Sequence, residues 1–246
     1  MENVKVIFES EEVIAINKPV GLVVHSDGKS NIKTLVDWIL EKYPEIKDVG
    51  EPLIIQGKEI LRPGIVHRLD KDTSGVILIA RTQESFENLK KQFQDREIRK
   101  CYRAFVYGNI REDILVIDKP IGRSSGDIRK WSSLRDARGQ MREAKTLIRV
   151  LGRGNFNGEI FTYLEAEPKT GRTHQIRVHL RAIERPIVCD SLYAPKRDCI
   201  LGFKRLALHA QEISFTDLKD VRQTITADFP EDFQGAVVQV DTLHKN

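Results

Sequence analysis

Three cysteines in 246 residues, Cys101, Cys189 and Cys199, are too few and too irregular to staple a fold. Their number is odd and no C-x-x-C pair occurs, which argues against a disulfide framework and a zinc site and for a reducing compartment. A secretory start is missing as well: MENVKVIFESEE has neither a basic opening nor an apolar stretch. No apolar run approaches the roughly 18 residues that a membrane span needs. The expectation is a soluble cytoplasmic protein with no membrane partner. Internal repeats, low-complexity tracts and linkers rich in Pro, Gly or Ser are absent too, so solenoids and tails drop out and a single domain over residues 1–246 is expected.

What is present is charge, unevenly placed. The net charge is +4. Residues 99–149 carry 13 Lys/Arg against 6 Asp/Glu, residues 168–209 carry 9 against 3, and residues 211–246 carry 3 against 7. Two basic segments beside an acidic end suit a polyanion surface. Solvated faces that happen to be rich in Lys and Arg are the plainer alternative.

Short strand signals dominate the hydropathy pattern. They cover 4–8, 13–16, 76–80, 101–107, 144–151, 160–167, 206–215 and 221–227; in the fourth, Tyr102, Ala104 and Val106 alternate with Arg103, Phe105 and Tyr107. Three segments have helical period instead. Ile32, Leu35, Val36, Ile39, Leu40 and Tyr43 form one stripe; Phe86, Leu89 and Phe93 form another, with Thr82 as its N-cap; Ile176, His179, Leu180 and Ile183 form a third within 173–183. Strands outnumber helices without regular alternation, which predicts an α+β fold around a central mixed, mostly antiparallel sheet with a few flanking helices. Residues 122–140, GRSSGDIRKWSSLRDARGQ, contain only Ile128, Trp131, Leu134 and Ala137 as apolar anchors and read as an exposed basic loop or hairpin insertion.

Two apparent motifs fail on spacing. GLVVHSDGKS, 21–30, ends like a phosphate-binding loop, yet the glycine that such a loop needs falls on Val23. His174 and His179 stand five apart with no acidic residue between them, so they suit core or RNA-contacting roles better than metal ligation, and no metal is expected.

Two stretches carry chemistry. GIVHRLDKDTSG, 64–75, gathers His67, Arg68, Asp70, Lys71 and Asp72 between two glycines ahead of a strand. A carboxylate in such a turn is ordinarily a cap, and Asp72 suits that role better than Asp70. KTGRTHQIRVHL, 169–180, sets Arg172 and His174 at the start of a helical stretch, where backbone N–H groups and a guanidinium make a phosphate seat. An Arg-rich surface helix is the alternative.

HRLDKDTSGV, the upstream NKPVGLVVH (17–25), RKCYRAFV (99–106), TGRTHQIRVHL (170–180) and RLALHA (205–210) occur in the order found in RNA pseudouridine synthases of the RluA family. The chain resembles that family from about residue 6 to residue 233. The resemblance implies a pseudouridine synthase fold with a basic cleft and a cofactor-free isomerase, in which a uridine loses its N1–C1′ bond, the uracil turns, and C5 bonds to C1′. Asp70 matches the catalytic aspartate, Tyr102 the tyrosine that stacks on the base and is a candidate to remove the C5 proton, and Arg177 the arginine that pairs with the aspartate. Arg68 matches the residue that enters the RNA stack after base extrusion, and Leu206 resembles the apolar residue of the pocket floor. His67, Arg172 and His174 are taken as further substrate contacts.

The chemistry fits these types. A carboxylate that attacks C1′ or takes a proton at C2′ must stay ionised away from water; burial opposes that charge and a guanidinium restores it. Lysine would lose the bidentate fork. Family members often carry an N-terminal S4 domain, whereas the match here begins almost at Met1, so no S4 domain is expected and insertion 122–140 is the leading candidate for choosing the target. The family turn G-D-x-x-Y-G reads CDSLYA at 189–194, which puts the local turn geometry in question. The expected partner is RNA, ribosomal or transfer, with ribosomal slightly favoured, and the expected state is a monomer. An RNA-binding protein that leaves its ligand unmodified is the first rival. A hydrolase that frees uracil is the second, though it needs a partner acid or base for Asp70 that is not evident.

Overall fold

The computed structural model describes residues 4–26, 32–55 and 57–243. The phosphate-loop look-alike ends at Gly28, Lys29 and Ser30, which lie outside the described residues. In chain order the elements are β1 (Lys5–Glu9), β2 (Val13–Lys18), α1 (Leu35–Lys42), β3 (Leu53–Ile55), β4 (Lys58–Ile60), β5 (Ser74–Ala80), α2 (Gln83–Gln94) and β6 (Arg99–Tyr107). There follow β7 (Ile114–Asp118), β8 (Ile121–Ser124), β9 (Trp131–Ser132), β10 (Ala137–Arg142), β11 (Lys145–Phe156), β12 (Glu159–Pro168), α3 (Gln175–Ala182), β13 (Leu208–Thr216), β14 (Arg222–Thr226) and α4 (Glu231–Leu243). The fold class is α+β with mostly antiparallel sheet, as the sequence predicts. The chain forms two compact units, residues 1–99 with 210–228 and residues 100–209 with 229–246.

In the first unit the strand order is β1-β2-β5-β13, with β14 hairpinned on β13. Every residue of β5 is buried, which is why SGVILIA reads as a continuous apolar run. Ile14, Ile16, Ile77 and Ile79 pack against Leu35, Val36 and Ile39 of α1. That helix begins three residues later than its apolar stripe, because Thr34 and Asp37 close a capping box there and leave Ile32 exposed. Thr82 caps α2 through the Ser85 N–H, and α2 ends at Gln94, where the buried Gln92 amide pairs with both backbone groups of Thr216.

In the second unit β6-β12-β11-β7 form an antiparallel sheet. Alternation is lost after Ala104 because both faces are covered: Phe105 stacks on Tyr163 at 4.6 Å and lies 5.4 and 5.7 Å from Phe203 and Phe233. Phe233, Ala236 and Val240 of α4 join that core, a helix that the strand-centred reading did not predict. Residues 121–142 form their own sheet, in the order β10-β8-β9. The insertion is therefore a three-stranded β structure, on the hairpin side of the sequence expectation, seated on Ile121, Ala144, Val178 and Tyr193 through Trp131.

Cysteine counting misled on one point. Cys189 and Cys199 form a disulfide with Cα atoms 4.9 Å apart. Parity and C-x-x-C patterns cannot see a pair ten residues apart that a loop folds back together.

Candidate active site

The first unit positions Asp70 by its backbone. Gly64 and Gly75 flank the loop with φ of +65° and +116°, and the reason is proximity more than bending. A Cβ at Gly64 would overlap the Ala80 carbonyl, and one at Gly75 the Ala210 carbonyl. Between them the half-buried Asp70 starts a turn, its carbonyl accepting the Thr73 N–H at 3.1 Å, while Leu69 and Thr73 are buried on either side. Asp72 lies within that turn, as its neighbours D-T-S-G suggest.

Lys18, of the motif NKPVG, holds the loop from beneath. It is fully buried, and its Nζ donates to the carbonyls of Pro19 and Leu22 at 2.9 Å each and of Lys71 at 3.2 Å. The Lys71 carbonyl also accepts the Gly21 N–H at 2.9 Å. Carbonyl oxygens are the natural partners of an ammonium taken out of water. Sequence reasoning named the motif and missed the lysine; the apolar context of VIAINKPVG was the available signal.

His67 and Arg68 have separate tasks. The His67 Nε2 accepts the Leu78 N–H at 2.9 Å and its ring stacks on Phe93 at 4.8 Å, so it fastens the loop to β5 and α2. Arg68 is exposed, and its guanidinium lies 3.2 Å from the Nε2 of His25. Burial, with the Arg68 and Arg62 charges assisting, holds the His25 imidazole below its ordinary range despite a hydrogen bond to the Ser26 carbonyl. The neutral ring accepts from Arg68.

The second unit contains Tyr102, Arg172, His174, Arg177 and Leu206. Tyr102 is half-buried on β6 opposite Ala166, packed against the core that includes Leu206, which is 3% exposed. Arg177 sits on α3. The surface alternative for this helix fails, since Gln175, Ile176, Arg177, Val178, His179 and Leu180 are all buried. The helix begins two residues after the sequence estimate because His174 occupies its N-cap with φ of +56° and makes no side-chain cap bond.

Asp190 is the residue that sequence reasoning passed over. Its two oxygens receive Nε and Nη2 of Arg177, each at 2.8 Å, with both side chains buried. Oδ1 also accepts the N–H groups of Leu192 and Tyr193 at 3.0 and 2.9 Å. The CDSLYA turn is thus intact although Cys189 takes a left-handed φ of +57°, a conformation that glycine adopts more easily. The Tyr193 ring lies 5.0 Å from the guanidinium carbon, and its hydroxyl bonds the His174 Nδ1 and the Trp131 N–H, each at 3.0 Å. A fork, a ring and a helix fix one guanidinium.

The proposed phosphate seat is differently wired. The Arg172 N–H is taken by Gln175 Oε1 and its Nε by the Glu143 carbonyl, each at 3.0 Å. His179 is a core histidine: Nδ1 meets Thr146 Oγ1 and Nε2 the Lys119 carbonyl, both at 2.9 Å, and burial holds it below its ordinary range. Desolvation also brings the Lys100 ammonium down to about 8. No group of three or more His, Cys, Asp or Glu suited to a metal occurs among the described residues, and no helix there is long and apolar enough to cross a membrane.

Residues 12–182, which contain Lys18, Asp70, Tyr102 and Arg177, match the family model described as RNA pseudouridylate synthase. An RNA pseudouridine synthase of Chloroflexus aurantiacus is 40% identical over 91% of this chain and 65% of its own length. The ribosomal large subunit pseudouridine synthase D of Zymomonas mobilis is 35% identical over 94% of this chain and 70% of its own. The chain spans about three fifths to two thirds of the length of the first curated relatives it matches. The structure of human RNA pseudouridylate synthase domain containing 1 superposes with a TM-score of 0.73 at 24% identity, over 93% of this chain and 84% of that one, which supports the fold. A match across most of the chain, on the segments that hold the anchored carboxylate and the forked guanidinium, places this protein in the RNA pseudouridylate synthase family.

Proposed function

We propose that the protein isomerises uridine to pseudouridine in a structured RNA, with Asp70 as the catalytic carboxylate. Asp70 attacks C1′ or removes a proton at C2′ as the N1–C1′ bond breaks; the uracil turns, C5 bonds to C1′ as the Asp70 oxygen leaves C1′ or the proton returns to C2′, and C5 then loses its proton while N1 gains one. Tyr102 offers its ring to the base, a stack of roughly 1–3 kcal/mol, and accepts the candidate role of clearing the C5 proton. Arg177 supplies the guanidinium that pairs with the Asp70 carboxylate. Arg68 fills the gap left in the RNA stack, which offsets part of the few kcal/mol that flipping costs. Leu206 floors the pocket. His67 and His174 act through the groups they hold. The scheme asks for no metal or coenzyme, because the carboxylate makes and breaks the bonds itself.

One observation carries this reading: a buried arginine, held in a fixed fork by Asp190, within the family's own motif. Ribosomal RNA is the favoured substrate over transfer RNA, on the strength of relatives named for the ribosomal large subunit. The test is Asp70→Asn. This variant should bind host ribosomal RNA as the parent does and release no tritium from C5-labelled uridine; pseudouridine formed by it would remove Asp70 from the mechanism.

A further inference from the structure

The insertion hairpin and the chain following α3 enclose a hollow of about 820 Å³, within the size range of ligand sites. The reaction proposed above makes no use of it. Cations dominate its wall, and they differ in what holds them. Arg197 pairs with Glu159 at 2.8 Å and Arg185 donates to the Asn109 carbonyl at 3.0 Å. Arg181 and Lys196 are exposed, and their side chains make no hydrogen bond or ion pair among the described residues.

Two acids line the hollow among the described residues, and Asp136 is turned to the hydroxyls of Ser124 and Ser132, at 2.9 and 2.5 Å. That leaves Glu184 to oppose the cations on the wall. The Ser133 hydroxyl lines the same hollow, buried and without a hydrogen-bond partner. A buried unsatisfied hydroxyl costs about 1–3 kcal/mol, a cost that a ligand's polar atom removes. Trp131 adds an aromatic wall, its ring held by the Arg123 guanidinium at 4.2 Å.

We propose that this hollow receives a second nucleotide of the substrate RNA, one that is not isomerised. Its phosphate sits between Arg181 and Lys196, its sugar or base edge meets Ser133, and its base lies on Trp131. The inference rests on the RNA reading above and names a subsite for it. A free mononucleotide offers the same phosphate and base, so the two sources need separating. A strand is favoured because unpaired surface cations gain from displacing the counterions of a polyanion, and aromatic stacking tolerates any base.

The probes are a 20-nucleotide U-rich single-stranded RNA and free UMP. Arg181→Gln with Lys196→Gln should weaken RNA binding and flatten the slope of log K against log salt by about 0.7 for each phosphate left without its cation. Lys90→Gln, a cation of α2 that pairs with Glu51, should leave the slope unchanged. In a Trp38→Phe background Trp131 is the sole tryptophan, and RNA should quench it where UMP at equal nucleotide concentration does not. Both glutamine variants remove side chains that hold nothing among the described residues, and an unchanged Tm checks that they fold. Parent-like slope and affinity in the double variant would overturn the subsite, as would saturation of the Trp131 signal by UMP alone. A parent protein that binds no RNA would instead overturn the functional reading itself.

Discussion

Arg177 and Asp190 are a buried ion pair with 7% and 0% of their side chains exposed. Removing one partner leaves a charge stranded, at about 3–5 kcal/mol. Asp190→Ala should lower Tm by roughly 10 °C or more and abolish pseudouridine formation, as read by calorimetry and tritium release. Loss of activity alone would be ambiguous. The informative variant is the double one, Arg177→Met with Asp190→Asn, which removes both charges of the pair while an amide oxygen still accepts the N–H groups of Leu192 and Tyr193. It should recover most of the lost Tm and none of the activity; recovered activity would show that the guanidinium is dispensable. Arg177 was legible from its motif, whereas Asp190 was not. The fork joins positions thirteen apart, through a turn in which the sequence showed only that Cys189 and Ala194 stand in place of glycines.

Elements were legible where local pattern and tertiary demand agree. The stripe in α1 and the apolar run of β5 are patterns of that kind. The run in β5 sets the loop glycines as well, for Gly75 faces the Ala210 backbone closely enough that no Cβ fits. Gly75→Ala should therefore destabilise by more than about 2 kcal/mol, through clash and a strained φ together; a urea-unfolding midpoint equal to the parent's would contradict the packing described. Patterns diluted by polar or small residues were lost. In α4 the set Phe233, Ala236, Val237 and Val240 has the i, i+3, i+4, i+7 spacing, yet Gly235 and an acidic first turn hide it. The hairpin at 121–142 offers no apolar alternation at all, and its shape comes from Trp131 docking on Tyr193 and Val178 and from Asp136 gathering two serine hydroxyls.

For the whole molecule, the buried titratable groups set how stability follows pH. The folded protein holds His25 and His179 below 6.5 by burial. Below that pH the unfolded chain takes up protons that the folded rings refuse, so stability falls as pH drops through 6.5 and beneath it. Lys100 acts at the other end. Its folded value of about 8 lies below the ordinary 10.5, so between these two limits the unfolded chain again binds the extra proton and stability rises with pH. A thermal-unfolding series from pH 5 to 10 should show both slopes, and Lys100→Met should flatten the upper one. An upper slope that survives the substitution would place its origin elsewhere.

The Lys18 ammonium donates to main-chain oxygens at residues 19, 22 and 71, and oxygens of that kind are supplied by every amino acid. The Lys71 side chain can therefore drift in evolution while its carbonyl keeps its place in the bed on which Asp70 rests, whereas Leu22 answers to the core it packs against as well.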